Sequence, residues 1–423
     1  MHQHFFKILI IAACHSVSKG EESILRATID NLKAEKSLVR FIMFSSCPQV
    51  AKDFNLKNVE ITGNFLVYFM TRWMRRHFGL PILDLKKEHF TGSMKEFISC
   101  DLVILNSGDI LTEVFRRSSY VYLALLMLAK LLHKPVVVYA QTLDLPSSLV
   151  RRIFLRVVLN MVDLITFRDE ISIFNAEHIG IRRPCIHLTA DPAFFLTPKR
   201  SGAIENAITK LKRANSDKPL VGICPSSTIF SHTSQNISTS ERYRRGIKQL
   251  ADLVESIRNE TEASIILIPH AYSYKPQEDD RVFTRIVWSK LKRKRHVNIL
   301  NDVYDSKELK FAISKLDLLI TFRMHPLIHA LSTGVPCISF DYSGKMHQLM
   351  KYSHLPDALT MYIDELFVRS KIVYLIKMIL DTEGSNRYRL NNGELCKYTE
   401  RALSNIICLK ELIVQKCESQ RKF

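Results

Sequence analysis

Residues 319–345 hold the densest set of groups in the chain that could do chemistry: Leu-Ile-Thr-Phe-Arg-Met-His-Pro-Leu-Ile-His-Ala-Leu-Ser-Thr-Gly-Val-Pro-Cys-Ile-Ser-Phe-Asp-Tyr-Ser-Gly-Lys. An apolar run ends at Arg323 and His325 follows in the turn. Pro326 suits the first turn of a helix, and Gly334 stops that helix before a second apolar run, Val335–Phe340. A guanidinium and an imidazole at a strand end, beside the N–H groups of a helix start, describe an anion site. His325 beside a bound phosphate is placed to act as a general acid. Lys345, past the next strand, reaches the same edge, whereas His329, one helical turn on, reads as packing.

The Arg323 segment has an echo. Asp163-Leu-Ile-Thr-Phe-Arg168 recurs as Asp317-Leu-Leu-Ile-Thr-Phe-Arg323. Ligands of open α/β sheets sit beyond the carboxyl ends of strands. Two strands that each end in Arg are therefore expected to converge on one compact di- or trianion, which guanidinium forks match in bidentate fashion.

The elements that must position these residues alternate along the chain, the sequence sign of parallel α/β layers. Strands are expected at Lys7–Ala13, Leu38–Phe44, Leu102–Asn106, Pro135–Ala140 and Asp163–Phe167, and then at Leu220–Cys224, Ile265–Pro269, Leu316–Thr321 and Val335–Phe340. Helical patterns cover Glu21–Leu32, Glu113–His133, Ser147–Val162 and Tyr243–Arg258. The expected organisation is a Rossmann-like domain over 1–198, a polar linker over 199–218 and a second Rossmann-like domain over 219–385. A helical segment over 386–423 is expected to pack back on the first domain. The helix over 147–162 mixes Arg151, Arg152 and Arg156 with Leu149, Ile153, Phe154 and Val157. It either packs its apolar side on the sheet with its arginines in water or approaches an anionic membrane.

Composition narrows the function classes. The chain has 423 residues, 47% hydrophobic and 24% charged, which fits two globular domains and excludes wholesale disorder. Lys and Arg number 60 against 42 Asp and Glu, a formal charge of +18 that favours anionic partners. The basic runs Arg72–His77 and Lys290–His296 lack the aromatic interleaving of a single-strand binder, so nucleic acid is not expected. Nine scattered cysteines without a C-x-x-C pair suggest neither disulfides nor zinc, and fit a reducing, cytoplasmic location. The apolar stretch Lys7–Cys14 imitates a short signal peptide but reads better as the first buried strand.

Taken in order, these segments resemble the polysaccharide pyruvyl transferase family. Arg323-Met324-His325, the helix after it, Gly334-Val335-Pro336 and Tyr342-Ser343-Gly344-Lys345 are similar to its C-terminal signature. Lys19-Gly20-Glu21-Glu22-Ser23 resembles its first Gly-acidic loop, and Tyr139-Ala140-Gln141 to Pro146 its Gln-containing turn. Phe167-Arg168-Asp169-Glu170-Ile171-Ser172, Ala190-Asp191-Pro192-Ala193-Phe194 and Ile268-Pro269-His270 with Asp279-Asp280 match further elements. The chain departs from the pattern at Asn106-Ser107-Gly108-Asp109, where the family has a Gly-Gly-Gly turn, and at Lys19.

The resemblance implies two Rossmann-like domains facing across a cleft, a GT-B-like α/β fold. The implied reaction moves the enolpyruvyl unit of phosphoenolpyruvate onto two hydroxyls of a glycan or lipid-linked saccharide in exopolysaccharide or cell-wall synthesis, with release of phosphate. By matching positions, Arg168, Arg323 and His325 would hold the donor, with Met324 lending backbone, and Lys345 is a further donor-side candidate. His325 would supply the proton. Asp191, Asp109 and Glu21 are candidates for the base, and Gly20, Glu21, Asp109 and Gln141 for the acceptor side. No metal or cofactor is required by this scheme, and a lipid-linked acceptor would bring peripheral contact with the inner face of an anionic membrane. Two rivals stand beside this reading: a nucleotide-sugar glycosyltransferase of the same architecture and a catalytically silent glycan-binding relative. The first would want an acid on the helix after His325, and Leu327–Thr333 has none.

Overall fold

The structure, a computed structural model, describes residues 6–12, 17–33, 39–45, 48–56, 58–68, 92–213, 218–226, 238–273, 276, 279–381 and 385–421. The basic run Arg72–His77, Cys14, His15 and Ser16 lie outside the described residues. The chain divides into two units. The first comprises Met1–Val17, Ile24–Pro192 and Thr399–Phe423; the second comprises Ser18–Ser23 and Ala193–Tyr398.

The first unit is built on a seven-stranded parallel sheet. Its strands are β1 (Phe6–Ala12), β2 (Val39–Ser45), β3 (Val59–Gly63), β4 (Leu102–Asn106), β5 (Val136–Gln141), β6 (Leu164–Phe167) and β7 (Cys185–Leu188), in the spatial order β3-β2-β1-β4-β5-β6-β7. The central strands are continuous apolar runs because helices cover both faces of such a sheet; Leu102–Asn106 and Val136–Gln141 are buried throughout. The second unit repeats the plan with β8 (Leu220–Cys224), β9 (Ser264–Leu267), β10 (Val297–Ile299), β11 (Leu318–Thr321), β12 (Cys337–Asp341) and β13 (Thr360–Tyr362), ordered β10-β9-β8-β11-β12-β13. Both orders are Rossmann windings, and each reverses direction between its first and fourth strand. Arg323 follows β11, the fourth strand of its unit, and Asp109 follows β4. Both therefore stand at the end of a strand that borders a topological switch point.

The observed strands lie within a few residues of those expected from sequence. Four were not expected: β3, β7, β10 and β13 are edge or near-edge strands of three to five residues whose mixed polarity gives little signal. The bounds also differ. Within residues 199–218, read as a polar helix-plus-loop connection, the helix is Gly202–Arg213, and it groups with the second unit. The first turn of the helix Lys19–Lys33 groups with the second unit as well. The C-terminal helix Asn392–Arg421 starts among second-unit residues, and from Thr399 onward belongs to the first.

The arginine-bearing helix, Leu149–Leu159, buries Leu155, Val158 and Leu159, but the apolar residues expected to face the sheet do not: Leu149, Val150, Ile153 and Val157 are exposed, and Arg151 is buried. Glu113, Thr112 and Ser119 explain the burial of Arg151. The Arg151 guanidinium pairs with the Glu113 carboxylate, donates to the Thr112 carbonyl at 2.9 Å and reaches Ser119 Oγ at 3.4 Å. Removing this guanidinium strands a partly buried carboxylate and a carbonyl. Arg151→Met is expected to cost about 1.5–3 kcal/mol, and Arg152→Met, which loses a half-buried bond to the Pro146 carbonyl at 3.0 Å, about 0.5–1 kcal/mol. Chemical denaturation of the two variants checks this ordering.

Candidate anion-binding site

In the second unit the site grows from the end of β11. Thr321 Oγ1 accepts from the Arg323 amide at 3.1 Å and donates to the Arg323 carbonyl at 3.0 Å, which fixes the chain as it leaves the strand. Arg323 is extended (φ −137°) and caps the helix Met324–Leu331. Its side chain forms a fork with Asp280: Nε to Oδ2 and Nη2 to Oδ1, both 2.6 Å. Asp280 opens the helix Asp280–Ser289 and is fully buried. Its Oδ2 also accepts from the amides of His270 at 3.2 Å and Ala271 at 2.8 Å. Burial raises the Asp280 carboxyl above its usual range, while Arg323 and the two amides oppose that rise. Burial alone would lower Arg323, but the facing carboxylate outweighs it and holds the guanidinium pKa above its usual value. Arg323 is thus locked in one orientation and stays charged, with Nη1 outside the fork.

His325 lies against the first turn of the helix Lys19–Lys33. A methyl group at Gly20 would stand 2.1 Å from His325 Nδ1, so only glycine admits the ring. Lys19, beside it, is buried; its Nζ donates to Glu22 Oε2 at 2.7 Å and lies 4.8 Å from the centre of the Tyr272 ring. Glu22 Oε1 accepts from the Ser306 amide at 3.3 Å. The acidic residue that shapes this corner is therefore Glu22, not Glu21, which is partly exposed at the helix start. Met324 and Lys345 each begin a helix and are partly exposed. The loop before Lys345 is held by Asp341, which accepts from the amides of Ser343 at 2.8 Å and His347 at 2.9 Å.

Two further histidines back the site. His329 and His270 are buried with ring centres 5.4 Å apart. Ser23 Oγ donates to the Lys19 carbonyl at 2.7 Å, so at 3.1 Å it accepts from His329 Nε2, which must carry the proton. Burial, then the neighbouring charges, lower both imidazoles well below the usual value. His329 is packing as expected, but polar packing inside the site.

The first unit places the other predicted residues together. Arg168 donates from Nη1 to Asp191 and from Nη2 to Asp109, both at 2.6 Å, and from Nε to Thr142 Oγ1 at 2.8 Å. Burial works against its charge, but Asp109, Asp191 and Asp169 outweigh it and raise its pKa. A methyl group at Gly108 would stand 2.3 Å from Nη1, so the glycine lets the guanidinium in. Asp191 is buried with it, whereas the Asp109 side chain is 42% exposed. Gln141 is buried; its side chain donates to the Tyr139 carbonyl at 3.1 Å and its own carbonyl accepts from the Arg168 amide. Its Oε1 is buried and accepts no hydrogen bond among the described residues. The segment carrying Asp191 is pinned by the C-terminal helix, where Asn405 Nδ2 donates to the Ala190 carbonyl at 2.8 Å.

A family model described as polysaccharide pyruvyl transferase matches residues 19–344. The chain belongs to that family. The match takes in Arg168, Asp191, His270, Asp280, Arg323 and His325, and the family is one of transferases. No curated protein matches the sequence. Among solved structures, similarity extends to the UDP-GlcNAc 2-epimerase of Methanocaldococcus jannaschii, at 14% identity and a TM-score of 0.58 over 96% of this chain and 99% of that one. A putative UDP-N-acetylglucosamine 2-epimerase of Listeria monocytogenes matches at 12% identity and a TM-score of 0.62, over 97% and 98%. Anabaena Alr3699/HepE, solved with UDP, matches at 13% and 0.54, over 98% and 100%. At such identities the likeness bears on the fold alone, which is GT-B-like. Among the described residues no helix is long and apolar enough to cross a membrane.

Sequence reasoning found Arg323 and His325 from their position after a strand. It missed Lys19 and Glu22 as a buried pair and Asp280 as the partner of Arg323. The signal available was Gly20 flanked by charges, and the pair Asp279-Asp280 at a helix start.

The neutral histidines set a pH dependence. The unfolded chain protonates each near pH 6.5, whereas the fold resists protonation. Their contribution to stability is complete above about pH 6.5 and declines as pH falls below it, at up to ~1.4 kcal/mol per pH unit for each histidine. His329→Gln should reduce the slope of unfolding free energy against pH below 6.5 by about one proton. An unchanged slope in denaturant melts would show that His329 is not held neutral.

Proposed function

We propose that the protein transfers the enolpyruvyl unit of phosphoenolpyruvate onto two hydroxyls of one sugar in a glycan or lipid-linked saccharide, giving a cyclic pyruvate ketal and phosphate. The observation that carries this reading is the Arg323 fork: a charged guanidinium, fixed by Asp280 at the switch point of a Rossmann-like unit, beside the backbone of Met324 and the ring of His325. Family membership supplies the reaction class.

Phosphoenolpyruvate presents a phosphate and a carboxylate to Arg323 Nη1 and the helix start. His325 delivers a proton to the methylene carbon, and positive charge develops on the neighbouring carbon. One sugar hydroxyl adds there. The carbon–oxygen bond to phosphate then breaks, and the second hydroxyl closes the ketal. One hydroxyl proton leaves with the departing phosphate; the other is taken by a base and passed back to His325, so that acid and base are both restored. Glu21, partly exposed in the same unit as His325, is the candidate for that base. Arg168 already pairs with two carboxylates, so in this reading the donor anion is assigned to Arg323.

The test is phosphate release from phosphoenolpyruvate with a panel of saccharide acceptors, run beside nucleotide sugars. His325→Gln is expected to keep donor binding and lose turnover by about 10²–10⁴. Arg323→Lys keeps a cation beside Asp280 but loses the fork, and should weaken donor binding by about 10-fold or more. Gly20→Ala should lower turnover by about 10² through displacement of His325. A His325→Gln variant that turns over at the parent rate, or consumption of nucleotide sugar without phosphoenolpyruvate, overturns the reading.

A further inference from the structure

The helix Leu149–Leu159 presents its apolar residues to water. Leu149, Val150, Ile153 and Val157 are 66%, 73%, 54% and 52% exposed, and Phe174 on the neighbouring helix Glu170–Ile179 is 56% exposed. At roughly 100° per residue the four aliphatics share one arc of about a third of the helix circumference. This is no failure of packing, because Leu155, Val158 and Leu159 on the opposite side are buried and Arg151 is tied inward to Glu113. The arc is bordered by basic groups. Arg156 is exposed beside it and Arg152 partly so, while Arg182 and Arg183 lie in the loop whose amides bond to Asn160 Oδ1 at the helix end. No Asp or Glu occurs between residues 145 and 162.

We infer that this face is a docking surface for an anionic lipid bilayer, the aliphatics entering the headgroup–acyl boundary and the arginines meeting lipid phosphates. Charge selects this occupant over a second copy of the chain. A two-fold contact would set the arginines against their own images, and the acids of the neighbouring helix, the exposed Glu177 and Glu170 paired with Arg401, are fewer than Arg152, Arg156, Arg182 and Arg183 around the arc. A bilayer rich in anionic headgroups satisfies both the apolar arc and its rim. Exposed aliphatic area of this kind is otherwise a standing cost in solubility. The inference does not depend on the proposed reaction, since docking is read without substrate.

Flotation of the full chain with vesicles tests it. Binding is expected to phosphatidylcholine–phosphatidylglycerol vesicles at low salt, to be absent with phosphatidylcholine alone, and to fall as salt rises. Ile153→Ser with Val157→Ser changes no charge and should weaken binding about 10-fold or more. Arg152→Gln with Arg156→Gln should do likewise. Unchanged melting temperatures would show that these variants are folded. Lys292→Gln with Lys294→Gln, in the exposed basic run of the other unit, should leave binding at the parent level. The inference fails if the parent chain ignores anionic vesicles, if the serine pair binds like the parent, or if the lysine pair weakens binding equally. It also fails if the parent is a dimer that the serine pair splits.

Discussion

The site hangs on one buried ion pair, the fork between Arg323 and Asp280. Burying both charges costs several kcal/mol per ion, and the pair returns that only because its geometry is bidentate and Asp280 has two more donors in the amides of His270 and Ala271. Such a pair adds little to net stability, and its value lies in position. A long flexible side chain at the end of β11 becomes a fixed cation with one edge turned outward. Everything nearby follows from it. The helix Asp280–Ser289 must begin where it does, the turn at His270–Ala271 must present its amides, and, after burial, the charge of Arg323 helps keep His270 neutral.

The repeated strand-plus-arginine segment shows how equal sequences take unequal roles. Arg168 and Arg323 leave their strands after the same Thr-Phe pair, yet Arg168 meets two carboxylates and Arg323 meets one. The first trio carries a net negative charge and holds acids in place. The second pair is neutral, and an incoming anion meets no surplus carboxylate from it. The expectation that both arginines converge on one anion came from the strand pattern, which says nothing of the partners that each guanidinium finds.

The central strands and the Arg323–His325 turn were legible because apolar runs, a proline and a glycine mark them locally. What escaped was non-local or cancelled. Asp280 stands 43 residues from Arg323, and no spacing rule links them. Lys19 and Glu22 read as surface charges at a helix start, but each buries only because the other is there. The helix Leu149–Leu159 has apolar residues on two sides, and periodicity cannot say which of them faces inward. The decision rests on Glu113, 38 residues upstream, whose carboxylate draws Arg151 into the core.

The account's central claim is that Arg323, held by Asp280, binds the donor anion. Calorimetric titration of phosphoenolpyruvate into the parent chain and into Asp280→Asn tests it most directly. The amide keeps the shape of the fork but removes the charge that fixes the guanidinium. The account predicts saturable binding to the parent and binding weaker by about 10-fold or more in the variant, the scale of a charge-assisted bond. Equal affinity in a folded Asp280→Asn, or a parent that binds a nucleotide sugar and gives no heat with phosphoenolpyruvate, would contradict it.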